Sequence, residues 1–173
     1  MRREGGDWLD ALSALLWRKR DALERLIFKL AVARIVLSID NPPWLAMASD
    51  DVAELVDEIE DLDRRRVDLL EHHADDLDVA LTLSSLAVIV RSPWDDILRE
   101  HDVELARLHM RVRAVALATE ASLAAFEVIP AANLMSTPLR DAGVEVVALR
   151  LACDSLRRAA MRVGSPDHAH HVA

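Results

Sequence analysis

The first forty residues carry an apolar seam with the period of a coiled coil. Its positions alternate in spacing between three and four residues, and a lysine is the one interruption: Leu9, Leu12, Leu16, Lys19, Leu23, Leu26, Leu30, Ala33 and Leu37. A period of about 3.5 residues keeps one stripe of a helix facing a partner helix along its whole length. The seam therefore predicts a long first helix, from Asp7 to Ile39, that packs against other helices.

A second long helix is predicted directly after the first. The segment Asn41-Pro42-Pro43 ends the first helix, because proline lacks the backbone donor and restricts the residue before it. The second helix is expected from about Trp44 to His73, and the short connection makes the pair antiparallel. Its predicted seam is Leu45, Ala48, Val52, Leu55, Ile59, Leu62, Arg66, Leu69 and His73.

A third long helix is predicted after a connector at residues 79–91, where Ser84 or Ser85 caps a short apolar turn. Ser92 at the cap and Pro93 at the first helical position mark its start, and it runs to about Glu127. Its seam weakens after Val115 to polar positions, and its members are Trp94, Leu98, His101, Leu105, Leu108, Val112, Val115, Thr119 and Ser122.

Composition supports an all-α fold. Apolar residues make up 52% of the chain, which is enough for a core, while four glycines and six prolines leave few turns. We expect an elongated antiparallel hairpin or bundle with coiled-coil seams and a mobile C-terminal helix. The predicted units are a helical scaffold (1–129), a flexible loop (130–144), an amphipathic helix (145–164) and a disordered tail (165–173).

The predicted last helix has an apolar stripe that follows the flexible loop. It either completes the bundle or swings away and leaves an apolar groove for a partner's amphipathic helix. In the second case the client-binding residues are Val146, Leu149, Cys153, Leu156 and Ala160.

Acidic residues are concentrated in one segment. Residues 50–78 hold thirteen acids against three arginines, and the whole chain has a net charge of −9. Such a segment repels nucleic acid and anionic membrane surfaces. We therefore expect no nucleic-acid partner. No apolar run is long enough for membrane insertion, and Asp7 and Asp10 interrupt any signal-like segment, so a cytoplasmic protein is expected.

Catalytic, metal and cofactor sites have little support in the sequence. Glu100, His101 and Glu104 cluster on one helix, but no histidine has a glutamate three residues before it, as di-metal bundles require. Cys153 is the single cysteine and lies on an apolar stripe, where a structural thiol is the usual case. There is no glycine-rich phosphate loop. We predict no enzyme activity, no metal and no cofactor.

The four tryptophans lie near helix ends or beside a seam. We expect Trp44 and Trp94 to close the ends of the bundle, where a large ring is buried while its N–H reaches a partner. Trp17, next to Leu16 of the seam, fits either a buried or a partner-binding position.

Three motifs together resemble the actinobacterial branch of the FlgN family of flagellar export chaperones. Their order and spacing cover roughly residues 8–125. The motif positions that we assign to the scaffold are Trp17, Leu26, Phe28, Leu30, Trp44 and Trp94. The motifs are Leu16-Trp17-x-x-Arg20-Asp21-x-Leu23-Glu24-x-Leu26-x-Phe28-Lys29-Leu30, Trp44-Leu45-Ala46-x-Ala48, and Pro93-Trp94-x-x-Ile97-Leu98-x-Glu100-His101.

The resemblance implies a cytosolic chaperone of flagellar type III export that uses no ATP itself. Its clients would be the hook–filament junction proteins (hook-associated proteins), whose amphipathic terminal helices it would shield from premature assembly. It would then deliver them to the export apparatus, at the gate and its ATPase complex. The alternative is a structural coiled-coil protein that self-associates, for example as a homodimer, without a client.

Overall fold

The computed structural model describes residues 4–39, 42–73 and 82–127, together with residues 149, 150 and 153. The three ranges form four helices and, within them, no strand, so the all-α prediction is confirmed for this part of the chain. The helices are α1 (Glu4–Ile39), α2 (Pro42–His72), α3 (Leu83–Ile89) and α4 (Trp94–Glu127). The predicted loop 130–144, tail 165–173 and most of the predicted helix 145–164 lie outside the described residues.

The first two helices form an antiparallel hairpin, as predicted. Ion pairs join early residues of α1 to late residues of α2 and late residues of α1 to early ones, which fixes the direction of the pair. They are Lys19–Asp63 at 2.7 Å, Arg25–Glu58 at 2.8 Å and Lys29–Asp51 at 2.5 Å.

Helix α2 begins two residues earlier than predicted, at Pro42 rather than Trp44. The prolines that end α1 therefore belong to the first turn of the next helix. Proline is tolerated there because the first backbone N–H groups of a helix have no partner within it. Only residues 40 and 41 separate α1 from α2.

Helix α4 runs parallel to α1 and packs along it, so α1 lies against both long neighbours. Ser13 contacts His101 of α4, and further along α1 the charge of Lys19 acts on His109. Helix α4 starts at Trp94, one residue later than predicted, and the carbonyl of Pro93 accepts the first helical bond from the N–H of Ile97 at 3.2 Å.

The connector contains the short helix α3, whose cap is Thr82 rather than the predicted Ser84 or Ser85. The Thr82 hydroxyl accepts from the N–H of Ser85, and the Ser85 hydroxyl accepts from the N–H of Thr82, each at 3.1 Å. This is a capping box, which satisfies two backbone donors reciprocally. Helix α3 packs on α4, where Ser84 donates to Asp102 at 2.6 Å.

The core consists of the predicted seams, with corrections near the helix ends. All nine seam positions of α1 are buried, including Lys19. In α2 the seam is correct to Leu62, after which Leu70 is buried and the predicted Arg66, Leu69 and His73 are only partly buried. In α4 it is correct from Leu98 to Val112 and again at Thr119, while Ala116 and Leu123 are buried in place of the predicted Val115 and Ser122. A straight helix of 3.6 residues per turn drifts by roughly 20° per heptad from a 3.5-residue pattern, which explains these shifts.

Candidate functional site

The candidate site is an apolar groove on the outside of the hairpin, at the end where α1 passes into α2. Its pocket has a volume of about 250 Å³. This is smaller than the roughly 300–1,000 Å³ of typical small-molecule sites and suits the side chains of a partner protein. We call it the hairpin groove, and its lining residues are Val32, Val36, Trp44, Met47, Ala48 and Asp51.

An apolar stripe on α1, exposed at every position except the partly buried Val32, continues from this groove. Phe28, Val32, Ile35 and Ile39 follow each other at spacings of four, three and four residues, which places them on one face of the helix. Phe28 is 64% exposed and Ile35 is 62% exposed. We call these four residues the outer stripe, and it lies on the face of α1 opposite the buried seam.

The motif residues separate into two groups. Leu26 and Leu30 are fully buried, and Trp94 packs partly buried against the core, so these three support the fold. Trp17 and Trp44, each 54% exposed, and Phe28 are at the surface. The expectation that Trp44 closes the bundle end as a buried ring is therefore wrong, because its ring lines the open hairpin groove.

Trp17 lies at the surface between α1 and α4. The guanidinium of Arg20 stands over its indole at 4.1 Å from the ring centroid, a cation–π contact. His101 meets the indole edge-on at 5.2 Å between ring centroids. Trp17 also lines a second open pocket together with Arg25 and Glu58. This tryptophan is therefore held in place by its neighbours while half of it stays accessible.

Two of the predicted client-binding residues are buried. Leu149 and Cys153 are both 0% exposed and belong to the hydrophobic core. At these two positions the last segment lies against the core, which favours the first of the two alternatives, that the segment completes the bundle. The other three predicted residues, Val146, Leu156 and Ala160, lie outside the described residues.

A layer of charged side chains crosses the middle of the bundle. The ammonium of Lys19 donates to both carboxylate oxygens of Asp63, at 2.7 and 2.9 Å, and Arg66 donates to the same carboxylate at 3.4 Å. Burial lowers the pKa of Lys19. The negative charge of Asp63 and its hydrogen bond act in the opposite direction and raise this pKa, but the effect of burial is larger. Burial, followed by the positive charge of Lys19, lowers the pKa of His109 to about 4, so its ring is neutral near pH 7.

Ser13 and His101 form a pair that resembles a nucleophile and a base, with 3.3 Å between the Ser13 Oγ and the His101 Nε2. Such a pair needs a third group that orients the base. The Nδ1 of His101 is buried and has no hydrogen-bond partner among the described residues, and neither pocket above is lined by Ser13 or His101. Among the residues that the structure describes, no side chain orients His101 as a catalytic base.

In the Glu100–His101–Glu104 cluster, each of the two glutamates forms an ion pair with a different arginine. Glu100 lies 3.6 Å from Arg20, and Glu104 is bound by Arg107, which lowers the pKa of its carboxyl group. Within the residues that the structure describes, no group of three or more histidine, cysteine or acidic side chains is placed to hold a metal ion. None of the described helices is both long and apolar enough to cross a membrane.

The outer stripe and the hairpin groove were missed by sequence reasoning, which followed the seam alone. The signal was present in the sequence, because near its C-terminal end α1 is apolar on two opposite faces. One of those faces has no helix of the described chain to cover it. No family model, no curated protein and no solved structure matches this chain.

Proposed function

We propose that this protein is a cytoplasmic chaperone of flagellar type III export. It binds the amphipathic terminal helices of the hook–filament junction proteins, prevents their premature assembly and delivers them to the export apparatus. Its role is to bind and release, without catalysis and without a cofactor.

The observation that carries the proposal is the exposure of Trp17, Phe28 and Trp44. All three belong to the motifs that resemble the chaperone family, and each is more than half exposed. A large apolar side chain that contributes little to the core gains free energy when a partner removes it from water, by about 25 cal/mol per Å² of apolar area. Phe28 belongs to the outer stripe and Trp44 to the hairpin groove, and contiguous exposed apolar patches mark interaction surfaces.

The buried state of Leu149 and Cys153 bears on where the client binds. A client that used this stripe would first have to displace two fully buried core residues. The exposed motif residues need no such displacement. We therefore assign client binding to the outer surface of the α1–α2 hairpin rather than to the stripe of the last segment.

The rival function, self-association through a coiled-coil seam, is less well supported. Every seam position of α1 is already buried within a single chain. A second copy would therefore have to use another face, such as the outer stripe. The acidic surface of α2 opposes this arrangement, because two identical acidic surfaces would repel each other.

Calorimetric titration of the purified protein with the terminal helical segments of the host's hook–filament junction proteins tests the proposal. We expect one-to-one binding with a micromolar or tighter dissociation constant. Absence of binding to every segment, together with a concentration-dependent dimer in sedimentation, would contradict the proposal and favour self-association.

A further inference from the structure

We propose that the hairpin groove and the outer stripe are the docking site for an amphipathic helix that carries lysine or arginine beside its apolar face. This inference rests on the proposed function, because it names the place and the chemistry by which that function would hold its partner. The acidic surface of α2 provides the specificity of this site for a basic helix.

The shape of the surface favours a helix as the occupant. From Phe28 to Ile39 the outer stripe covers twelve residues, and their eleven steps along the helix correspond to about 16 Å or three helical turns. Beside it, Trp44 and Met47 of α2 form the second wall of the groove, and Met47 is 67% exposed. An amphipathic helix that presents apolar residues at i, i+3 or i+4, and i+7 fits an apolar surface of this length.

The charges beside the groove define the chemistry of the occupant. Met47, Asp50, Glu54 and Asp57 follow spacings of three, four and three residues, so an acidic row continues along α2 from the groove wall. The three carboxylates are exposed and form no ion pair with any residue that the structure describes. Basic residues on a partner would meet them directly and increase both specificity and association rate.

The remaining charges of α2 do not neutralise this row. The helix holds ten acids against three arginines. Those arginines, Arg64, Arg65 and Arg66, lie at the other end of α2 and pair there with Asp61 and Asp63. Lys29 and Arg25 of α1 are engaged with Asp51 and Glu58.

The same charges argue against a second copy of this chain as the occupant. In a twofold-symmetric dimer each surface meets an identical one, so the acidic rows of two α2 helices would lie close together. Like charges placed across an interface oppose association, and the whole chain already carries a net charge of −9. A basic helix from another protein does not experience this electrostatic repulsion.

The test uses the full chain and two designed 18-residue amphipathic peptides with the same leucine face. One peptide carries lysine at the flanking positions and the other carries glutamate. We expect the lysine peptide to bind at least tenfold more tightly than the glutamate peptide, with an affinity that falls as salt is raised. Equal affinities for the two peptides would overturn the proposal.

Two double variants locate the binding. Trp44→Ala/Met47→Ser removes the wall of the groove, and we expect it to weaken binding of the lysine peptide at least tenfold. Val103→Ser/Met110→Ser is the matched control, because these two residues are 70% and 67% exposed on one face of α4, outside the groove. We expect the control to bind as the unmodified protein does. Equal affinity of both variants would place the peptide elsewhere and overturn the proposal.

A charge reversal tests the acidic row without changing any apolar residue. In Glu54→Lys/Asp57→Lys we expect the preference to invert, so that the glutamate peptide binds more tightly than the lysine peptide. Both positions are exposed, so the fold should be retained, and circular dichroism checks this. An unchanged preference would contradict the assigned role of these carboxylates.

Failure of this inference can be distinguished from failure of the proposed function. If junction-protein helices bind equally well to the unmodified protein and to Trp44→Ala/Met47→Ser, the docking site is wrong while the chaperone function stands. If the lysine peptide binds the groove and no junction-protein helix does, the docking site is right and the chaperone function is wrong. A dimer that dissociates in Trp44→Ala/Met47→Ser would identify a second copy as the occupant and overturn the inference.

Discussion

The two faces of α1 near the hairpin end are both apolar, yet they have opposite environments. On the seam face, Leu26 and Leu30 are fully buried. On the outer face, Phe28 and Ile35 are more than 60% exposed. Apolar periodicity therefore predicts burial only where the same chain supplies a covering helix, and the second apolar stripe is the surface that we propose for a partner.

The largest effect should come from charging the buried face. Leu26→Asp places an unpaired carboxylate at a fully buried position, and we expect a loss of more than about 4 kcal/mol in the free energy of unfolding, enough to unfold the protein. Phe28→Asp, two residues away on the outer face, should change it by less than about 1 kcal/mol. Urea denaturation followed by circular dichroism measures both variants. Similar losses in the two variants would contradict the distinction between the faces.

The next largest effect is expected at Leu149, which lies in the last segment of the chain. Because Leu149 is fully buried in the core, we expect Leu149→Ala to cost about 2–5 kcal/mol in the free energy of unfolding. Thermal unfolding of this variant beside Ile35→Ala, an exposed control of similar size, provides the measurement. Equal midpoints for the two variants would show that Leu149 is not part of the core.

Acidification should lower the free energy of unfolding through two histidines of α4, His109 and His101. The pKa of His109 is lowered from 6.5 to about 4, so the folded state holds fewer protons than the unfolded state between these values. Stability is therefore retained above about pH 6.5 and lost as the pH falls toward 4, by up to about 3 kcal/mol at roughly 1.4 kcal/mol per pKa unit. The lowered pKa of His101 acts in the same direction.

Urea denaturation at pH 7 and pH 4.5 measures this loss. In His109→Gln we expect the loss on acidification to be smaller by at least about 1 kcal/mol, since glutamine does not titrate. A loss of the same size in the variant would assign the acid sensitivity to groups other than His109.

The smallest effect concerns the lysine that interrupts the seam. Removing Asp63 by Asp63→Asn leaves the buried ammonium of Lys19 without its carboxylate, and we expect a cost of about 1–3 kcal/mol. Lys19→Met should be neutral or stabilising, because Asp63 keeps partial solvent access and the contact with Arg66. Urea denaturation compares the two. A larger loss in Lys19→Met than in Asp63→Asn would contradict this order.

The fold was predictable from the sequence to the extent that it depends on local periodicity. The α1 seam is correct at every position, because a heptad pattern constrains the helix and the direction of its buried face at once. The errors have local physical causes. The Thr82 cap was missed because Ser84 and Ser85 are equally suitable residue types, and the late seams of α2 and α4 shifted because the helices drift from the heptad period.

The candidate site was only partly predictable. Phe28 and Trp44 were singled out through motifs, but their exposure depends on where α2, α4 and the turn lie, which spacing alone does not specify. The stripe of the last segment is amphipathic in the sequence, and amphipathicity does not distinguish a docked helix from a mobile one. The burial of Leu149 and Cys153 required a tertiary structure.

Nitrogen-15 NMR of the tryptophan indoles, during titration with the junction-protein helices, probes the outer face in solution. Trp→Phe variants assign the four indole signals. We expect the Trp44 signal to shift in a saturable, one-to-one manner, while the signal of the partly buried Trp94 stays in place. Saturable binding that leaves Trp44 unchanged would show that the hairpin groove is not the partner site.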